Sequence, residues 1–593
     1  MIQAEDLSTT STIDAAIALR RQQIAALSQE IIGLQTRRNA LSPLISRLPT
    51  EILAKIFFLL MLESSDEQER AGGLSSPGWL VVTRICAHWR TLALGTPHLW
   101  SYIRCFPDIN LVEAFIERSR SAPLDIVGGH RDYCGRMYSM DALRLLSVEW
   151  RRIRTVRLNG DPAYMSNIEG LPFWNAPSLE RISWDAPNHI EHPTDMAFLK
   201  HKEFLFLKSV QLSGFPAACG IPLLRPTLTH LSITGLATGI QVPSWLKLLG
   251  SLPLLEDLYL TGSFRMDGNA RQSPVFAGQS TSLPSLSTLT LYDTSGGTGN
   301  AALLDMLDYP PCCNVWLAFY GGGHIQPSLS LEDYRCVFST VARKLKADPR
   351  LPFWSVTDDA MKKVEFVLWK NAEDLNGYIL TSGEHAYAYE KRAVFRLSFS
   401  EVPDMQSFRQ MLPGLLSPLP TSGVRELYLS ERYGLANSGM YAAFPHVTRL
   451  VYQSGRPDRF LERLGRRRDA EAQPMFFPAL RSLTLCDPWW HQHDDSCPNP
   501  YGDPSLASDV DRMLAARESM GRPLQELYLH SVANINWPED RPWFEDIATK
   551  SLRFTWTAST FDPDRDADSD YDDSCELCRQ ESGFPLFEDL PSP

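Results

Sequence analysis

Few residues in this 593-residue sequence are spaced so that they could do chemistry. Cys575 and Cys578 make a lone Cys-x-x-Cys, half of a zinc site. Zinc takes four ligands, and neither a second such pair nor a His-x-x-x-His lies near it. His491, His493 and Cys497 in PWWHQHDDSCP could complete a set, but their spacing does not demand it; an exposed loop and two tail thiols account for both segments. Asp562, Asp564, Asp566, Asp568 and Asp570 alternate as in a calcium loop. That loop also needs glycine at its sixth position and glutamate at its twelfth, both absent here, so a solvated acidic tail is the better reading. Gly321-Gly322-Gly323 follows the strand-like NVWLAFY but fits neither a dinucleotide fingerprint nor a phosphate loop, and no Gly-x-Ser-x-Gly occurs. The expectation is a protein that binds rather than catalyses, with no cofactor and no metal.

The formal charge of −13 argues against nucleic acid as a general partner, because phosphate binding needs clustered lysine and arginine. The densest basic run, GRRRD at 465–469, reads as a solvated loop beside a helix end. Eleven cysteines, an odd number without a framework, favour a reducing compartment over disulfides. The polar, acidic N-terminus lacks the order of a signal peptide, and no apolar stretch reaches the length of a membrane span. Cytoplasmic and/or nuclear localisation without membrane contact is expected.

The elements that would position a binding surface are easier to read. From about residue 150 the pattern apolar-x-x-apolar-x-apolar recurs: IRTVRL (153–158), LERISW (179–184), LKSVQL (207–212), LTHLSI (228–233), LEDLYL (255–260), LSTLTL (286–291), VRELYL (424–429), VTRLVY (447–452), LRSLTL (480–485) and LQELYL (524–529). MKKVEFVL and AVFRLSF are weaker members. Alternate residues in each point one way, the strand period. Copies follow one another at roughly 21 to 33 residues, room for a crossover rather than a hairpin, and the spacing widens near 340–360 and 490–520. One unit cannot bury its leucines alone, but stacked units can. Gly, Ser, Asp or His stands where a regular repeat often has asparagine, so irregular pitch is expected.

Ahead of these repeats lie three helical segments. Residues 13–41 carry Ile17, Ile24 and Ile31 on one heptad line and Leu27, Leu34 and Leu41 on the next, with Arg20 and Arg38 breaking the seam at its ends. Such a helix either self-associates or packs back on its own chain. LPTEILAKIFFLLML (48–62) starts a helix, with Pro49 in the first turn and Leu48 or Thr50 as cap, and is more apolar than one buried stripe requires. After a polar stretch, SSDEQERAGGLSSPGW, a third helix is expected from Val81, Val82, Ile85, Trp89 and Leu92. It should stop at Gly95 and Pro97, with Leu99 and Trp100 folding back over the pair.

These two apolar segments resemble an F-box. RLPTEILAKIFFLL is similar to the family's Leu-Pro-x-Glu-Ile-Leu-x-x-Ile-Phe opening, and RICAHWRTLALGTPHLW to its Cys-x-x-Trp-Arg…Pro-x-Leu-Trp close. The rest resembles the irregular leucine-rich repeats found behind F-boxes in many fungal proteins. The resemblance implies a substrate-recognition adaptor of a cullin–RING (SCF-type) ubiquitin ligase, without catalysis of its own. Leu48, Pro49, Ile52, Ile56 and Ile85 would contact the Skp linker protein; Leu53, Phe57, Trp89, Leu92 and Trp100 would form the F-box core; the repeats would hold an unknown protein target. The alternative is an interaction scaffold that keeps the fold without ligase coupling.

The expected fold class is α/β: a coiled helix at 13–41, an F-box-like domain at 44–103, linker or cap helices at 104–150, an irregular leucine-rich-repeat solenoid with a parallel strand array at 151–557, and a disordered acidic tail at 558–593.

Overall fold

The structure, a computed structural model, describes residues 10–41, 48–71, 77–105, 107–129, 139–160, 170–186, 202, 204–215, 217–234, 240–262, 264–265, 280–293, 298–320, 329–345, 353–358, 363–369, 371, 375, 393–400, 402, 405–430, 438–454, 457–465, 476–486, 506–532, 537–550 and 552–558. The chain divides into two compact units, residues 1–237 and 238–593. Both are α/β with mostly parallel strands. The tail after 558, residues 321–323 and 491–497, and most of GRRRD lie outside the described residues.

The first unit begins with helix α1 (Thr10–Leu41) and a helical cluster: α2 (Thr50–Ala71), a 3-10 turn (Gly78–Val81), α3 (Val82–Ile85), α4 (Ala87–Leu94) and a second 3-10 turn (Pro97–Trp100). Three expectations need correction here. The polar stretch after Leu62 is not all loop: α2 continues to Ala71, because SSDEQERA holds good helix formers and nothing interrupts them before Gly72-Gly73. The third helix is not continuous either. Cys86 turns extended (φ −156°, ψ 167°), and its Sγ accepts the Trp89 N–H, so one expected helix becomes α3 and α4 with a cysteine cap between them. At the start of α2, Pro49 itself takes the cap position, its carbonyl accepting from Leu53 N at 3.1 Å.

Six parallel strands follow: β1 (Tyr102–Arg104), β2 (Leu124–Gly129), β3 (Ile153–Asn159), β4 (Arg181–Asp185), β5 (Ser209–Ser213) and β6 (His230–Thr234). Helices α5 (Ile109–Ser119) and α6 (Met140–Ser147) connect the first three. The segment 104–150, expected as linker or cap helices, therefore already contains the start of the ladder. Its strands escape the repeat pattern: β1 spans three residues, and β2 ends in two glycines rather than a second leucine. The alternate residues stack in register as Ile103, Ile126, Val156, Ile182, Val210 and Leu231, all essentially without solvent contact. Gly214, after β5, holds φ +77° while its N–H donates to Thr234 O at 2.8 Å, a left-handed turn that glycine adopts without steric cost.

The second unit carries β7 (Asp257–Thr261), β8 (Thr288–Asp293), β9 (Asn314–Tyr320), β10 (Phe353–Asp358), β11 (Val364–Trp369), β12 (Phe395–Ser400), β13 (Glu426–Ser430), β14 (Arg449–Gln453), β15 (Ser482–Cys486), β16 (Glu526–Val532) and β17 (Arg553–Ala558). Here the expected parallel array is broken. Strand β9 pairs in parallel with β12; β12–β11 and β11–β10 are antiparallel; β10 then pairs in parallel with β13. The spatial order is thus β9-β12-β11-β10-β13. Only five residues separate β10 from β11, too few for a parallel crossover, so the chain must turn back on itself. The helices α7 (Leu331–Leu345) and α8 (Met405–Leu416) carry the chain across that inversion, at the place where the sequence spacing widens.

Candidate functional site

Helix α2 presents three faces, which explains its excess of apolar residues. Leu53, Phe57 and Met61, spaced by four, are buried and form one stripe. They close over residues from beyond the helix stop. Phe57 meets Trp89 at a ring-centroid distance of 5.0 Å. Trp100 donates its indole N–H to Ala93 O at 2.8 Å in a buried hydrogen bond, while Thr96 Oγ1 donates to Leu92 O and ends α4. Trp79 and Phe115 set their edges against Trp100, each at 5.0 Å, and the Arg118 guanidinium lies 4.4 Å from the Trp100 ring.

Of the residues expected in this core, Leu53, Phe57 and Trp100 are buried, whereas Trp89 and Leu92 are half-buried. The core also takes Met61, Trp79, Val82 and Phe115, of which the sequence marks Met61 and Val82 as apolar helix positions without assigning them to the core and singles out neither Trp79 nor Phe115. Trp79 sits at the end of a polar stretch, but its immediate followers, Leu80-Val81-Val82, signal a buried segment. Phe115 belongs to α5, the first crossover of the ladder, so the helical cluster and the first strands share one aromatic core.

A second face of α2 remains wet. Ile52, Ile56 and Leu59 recur at helix spacing and keep 43% to 55% of their surface exposed; Val81 and Ile85, four residues apart, keep 53% and 52%. Pro49 is exposed as well and Leu48 half-buried. The residues expected at a partner contact therefore all carry solvent-accessible surface, whereas the buried stripe holds none of them. Nothing among the described residues of this unit covers this patch to the extent that a core is covered.

The third face, Phe58 and Leu62, together with the edge of Met61, walls a cavity of about 610 Å³ against the strands. Tyr102, Thr155, Arg157 and Arg181 line its far side, with Asp125 and Arg154 paired by two hydrogen bonds of 2.5 and 3.2 Å. That hydrogen bond to Asp125 raises the Arg154 pKa, so the guanidinium stays charged. Close by, complete burial pushes the Cys105 thiol up, far from a thiolate, and removes it as a nucleophile.

A buried set of interacting charges in the second unit lies on the inverted strands. Glu365 on β11 accepts from Arg396 Nη2 at 2.8 and 2.9 Å, from Ser398 Oγ at 2.6 Å and from Lys363 Nζ at 2.7 Å. Burial alone would raise the Glu365 carboxyl, but Arg396 and Lys363 outweigh it and hold it below the ordinary carboxylate range. Arg396 also stacks 4.4 Å from the Trp316 ring. Every partner here is satisfied within the protein, so the network acts as a structural tie across the strand inversion. Among the described residues no cluster of His, Cys, Asp and Glu could hold a metal ion, and no helix is long and apolar enough to cross a membrane.

No model of a known protein family matches the chain, and comparison with curated protein sequences gives no significant match.

Proposed function

We propose that the helical cluster is an F-box-like docking module, and that the protein is a substrate-recognition adaptor of a cullin–RING ubiquitin ligase. The Skp linker protein would cover Pro49, Ile52, Ile56 and Ile85, and the strand ladders would hold a protein target. One observation supports this reading above others. The cluster packs an aromatic core shared with α5 and still leaves a patch of isoleucines in water, at the positions the F-box resemblance assigns to the linker. A small helical module gains nothing by itself from such a patch; a partner groove does.

Co-purification of the full chain with a Skp protein tests the proposal. Binding under conditions where a known F-box binds is the expected result, weakened by Leu48→Ala with Pro49→Ala while the strand units stay folded. Absence of any association would sink the ligase reading. The uncovered seam of α1 supports a second reading, an interaction scaffold without ligase coupling, which predicts assembly that is blind to Skp.

A further inference from the structure

Helix α1 is 32 residues long, about 48 Å, and its apolar side chains are exposed. The apolar residues of its seam, Ile13, Ile17, Ile24, Leu27, Ile31 and Leu34, are 41% to 63% exposed. Of the two alternatives for this helix, self-association or packing back on its own chain, the exposure of these side chains favours the first. Their spacing alternates three and four residues from Ile24 to Leu34, placing Ile17, Ile24 and Ile31 at heptad position a and Leu27 and Leu34 at position d.

We propose that α1 forms a parallel two-stranded coiled coil with the α1 of a second copy of this chain, making the protein a homodimer. Three observations specify that occupant. β-Branched residues at a with leucine at d are the combination that favours two parallel strands; isoleucine at both positions would favour more. The flanking positions raise no like-charge conflict in that arrangement, since Arg21 would face Ala16, Ser28 would face Gln23, and Gln35 would face Glu30. Finally, the one charge inside the first half of the seam is turned aside: Arg20 Nη1 donates to Gln23 Oε1 at 2.8 Å along its own helix. Arg20 and Arg38 then oppose their own copies, which limits affinity and leaves Ile24 to Leu34 as the binding stretch.

Sedimentation equilibrium of the full chain at tens of micromolar should give the dimer mass. Ile24→Ser with Ile31→Ser should weaken dimerisation by about 100-fold or more, and Arg20→Leu should tighten it about tenfold, both without changing the far-UV signal of the α/β units. Orientation is read separately. Leu34→Cys, oxidised and digested, should yield a peptide linked 34 to 34, identified by mass spectrometry against the native cysteines. A monomer at every concentration, a trimer, or an Arg20→Leu variant no tighter than the parent would overturn the proposal. So would a mixture of Ile24→Cys and Leu34→Cys chains that links 24 to 34, the antiparallel signature. Skp binding enters none of these readouts, so the dimer stands or falls independently of the proposed adaptor role.

Discussion

Truncating Ile52 and Ile56 to alanine separates docking from folding. In the free chain these side chains keep 46% and 43% of their surface in water. Burying a whole isoleucine side chain is worth roughly 1.5–3 kcal/mol, so covering the exposed half is worth about 1 kcal/mol for each. The double variant should therefore lose about 2 kcal/mol of docking energy, roughly a 30-fold rise in Kd. Its own stability should fall by less than about 1 kcal/mol, because the lost surface is already wet and alanine is the better helix former. Isothermal titration of the full chain with a purified Skp-type linker measures the first quantity, and thermal unfolding the second. Leu53→Ala is the contrast: that side chain is 1% exposed, and its loss should cost about 2–5 kcal/mol of folding with no direct part in docking. An affinity unchanged within threefold would refute the assignment of the patch. A large fall in melting temperature for Ile52→Ala with Ile56→Ala would refute it equally, by showing the patch to be core.

Three further perturbations probe the frame. Trp79→Ala removes the centre of the aromatic core and should cost about 3–5 kcal/mol, seen as lost hydrogen-exchange protection across 79–115 with the second unit unaffected. Glu365→Gln leaves Arg396 buried without its counter-charge and should destabilise the second unit by about 3 kcal/mol near neutral pH. The folded pKa of Glu365 is depressed, so its contribution is full above the ordinary value of 4.5 and is lost as pH falls through the lower folded value; urea midpoints of the parent should drop over that acid window, and those of the variant should drop less. Gly214→Ala places a Cβ 2.3 Å from Ala186 O at φ +77° and should cost about 1–3 kcal/mol, whereas Gly423→Ala, with nothing within 4 Å, should stay within about 0.5 kcal/mol in the same denaturation assay.

Much of this frame is legible from pattern alone, and the misses share a cause. Strands such as IRTVRL and LEDLYL announce themselves because each carries its own leading leucine or isoleucine and its own alternation. Strand β2 does not, since its second column position is Gly128, packed against Cys105 rather than filled by a side chain. The order β9-β12-β11-β10-β13 is decided by pairing between residues far apart in the chain, such as Val315 with Phe395, which no local window reports. Local chemistry explains the other misses: Cys86 breaks a helix by capping it, and α2 runs on through polar residues that are good helix formers. The wet isoleucine patch was legible as excess hydrophobicity at 48–62. Its separation from a buried stripe and a cavity wall on the same helix was not, because Trp79 and Phe115 reach it from other elements.

The strand inversion also decides which part of each ladder a partner can reach. A reversed strand keeps the two-residue alternation, so Phe366 still joins the apolar columns opposite Leu397 and Val356. The other face of β11 carries Glu365, Val367 and Trp369, and two of these three are apolar. Val367 and Trp369 cluster there with Tyr428, Val451 and Cys486, and the connection between β11 and β12 contributes Leu375 and Ala393 to the same buried group. That face of the second unit is therefore occupied by its own chain at its centre. In the first unit the corresponding face is open: Arg157, Arg181, Gln211 and His230 stand exposed on consecutive strands. Two of these arginines also line the cavity beside Phe58 and Leu62. That open strand face and the helical cluster share one aromatic core, in which Phe115 of the first crossover helix meets Trp100 at 5.0 Å.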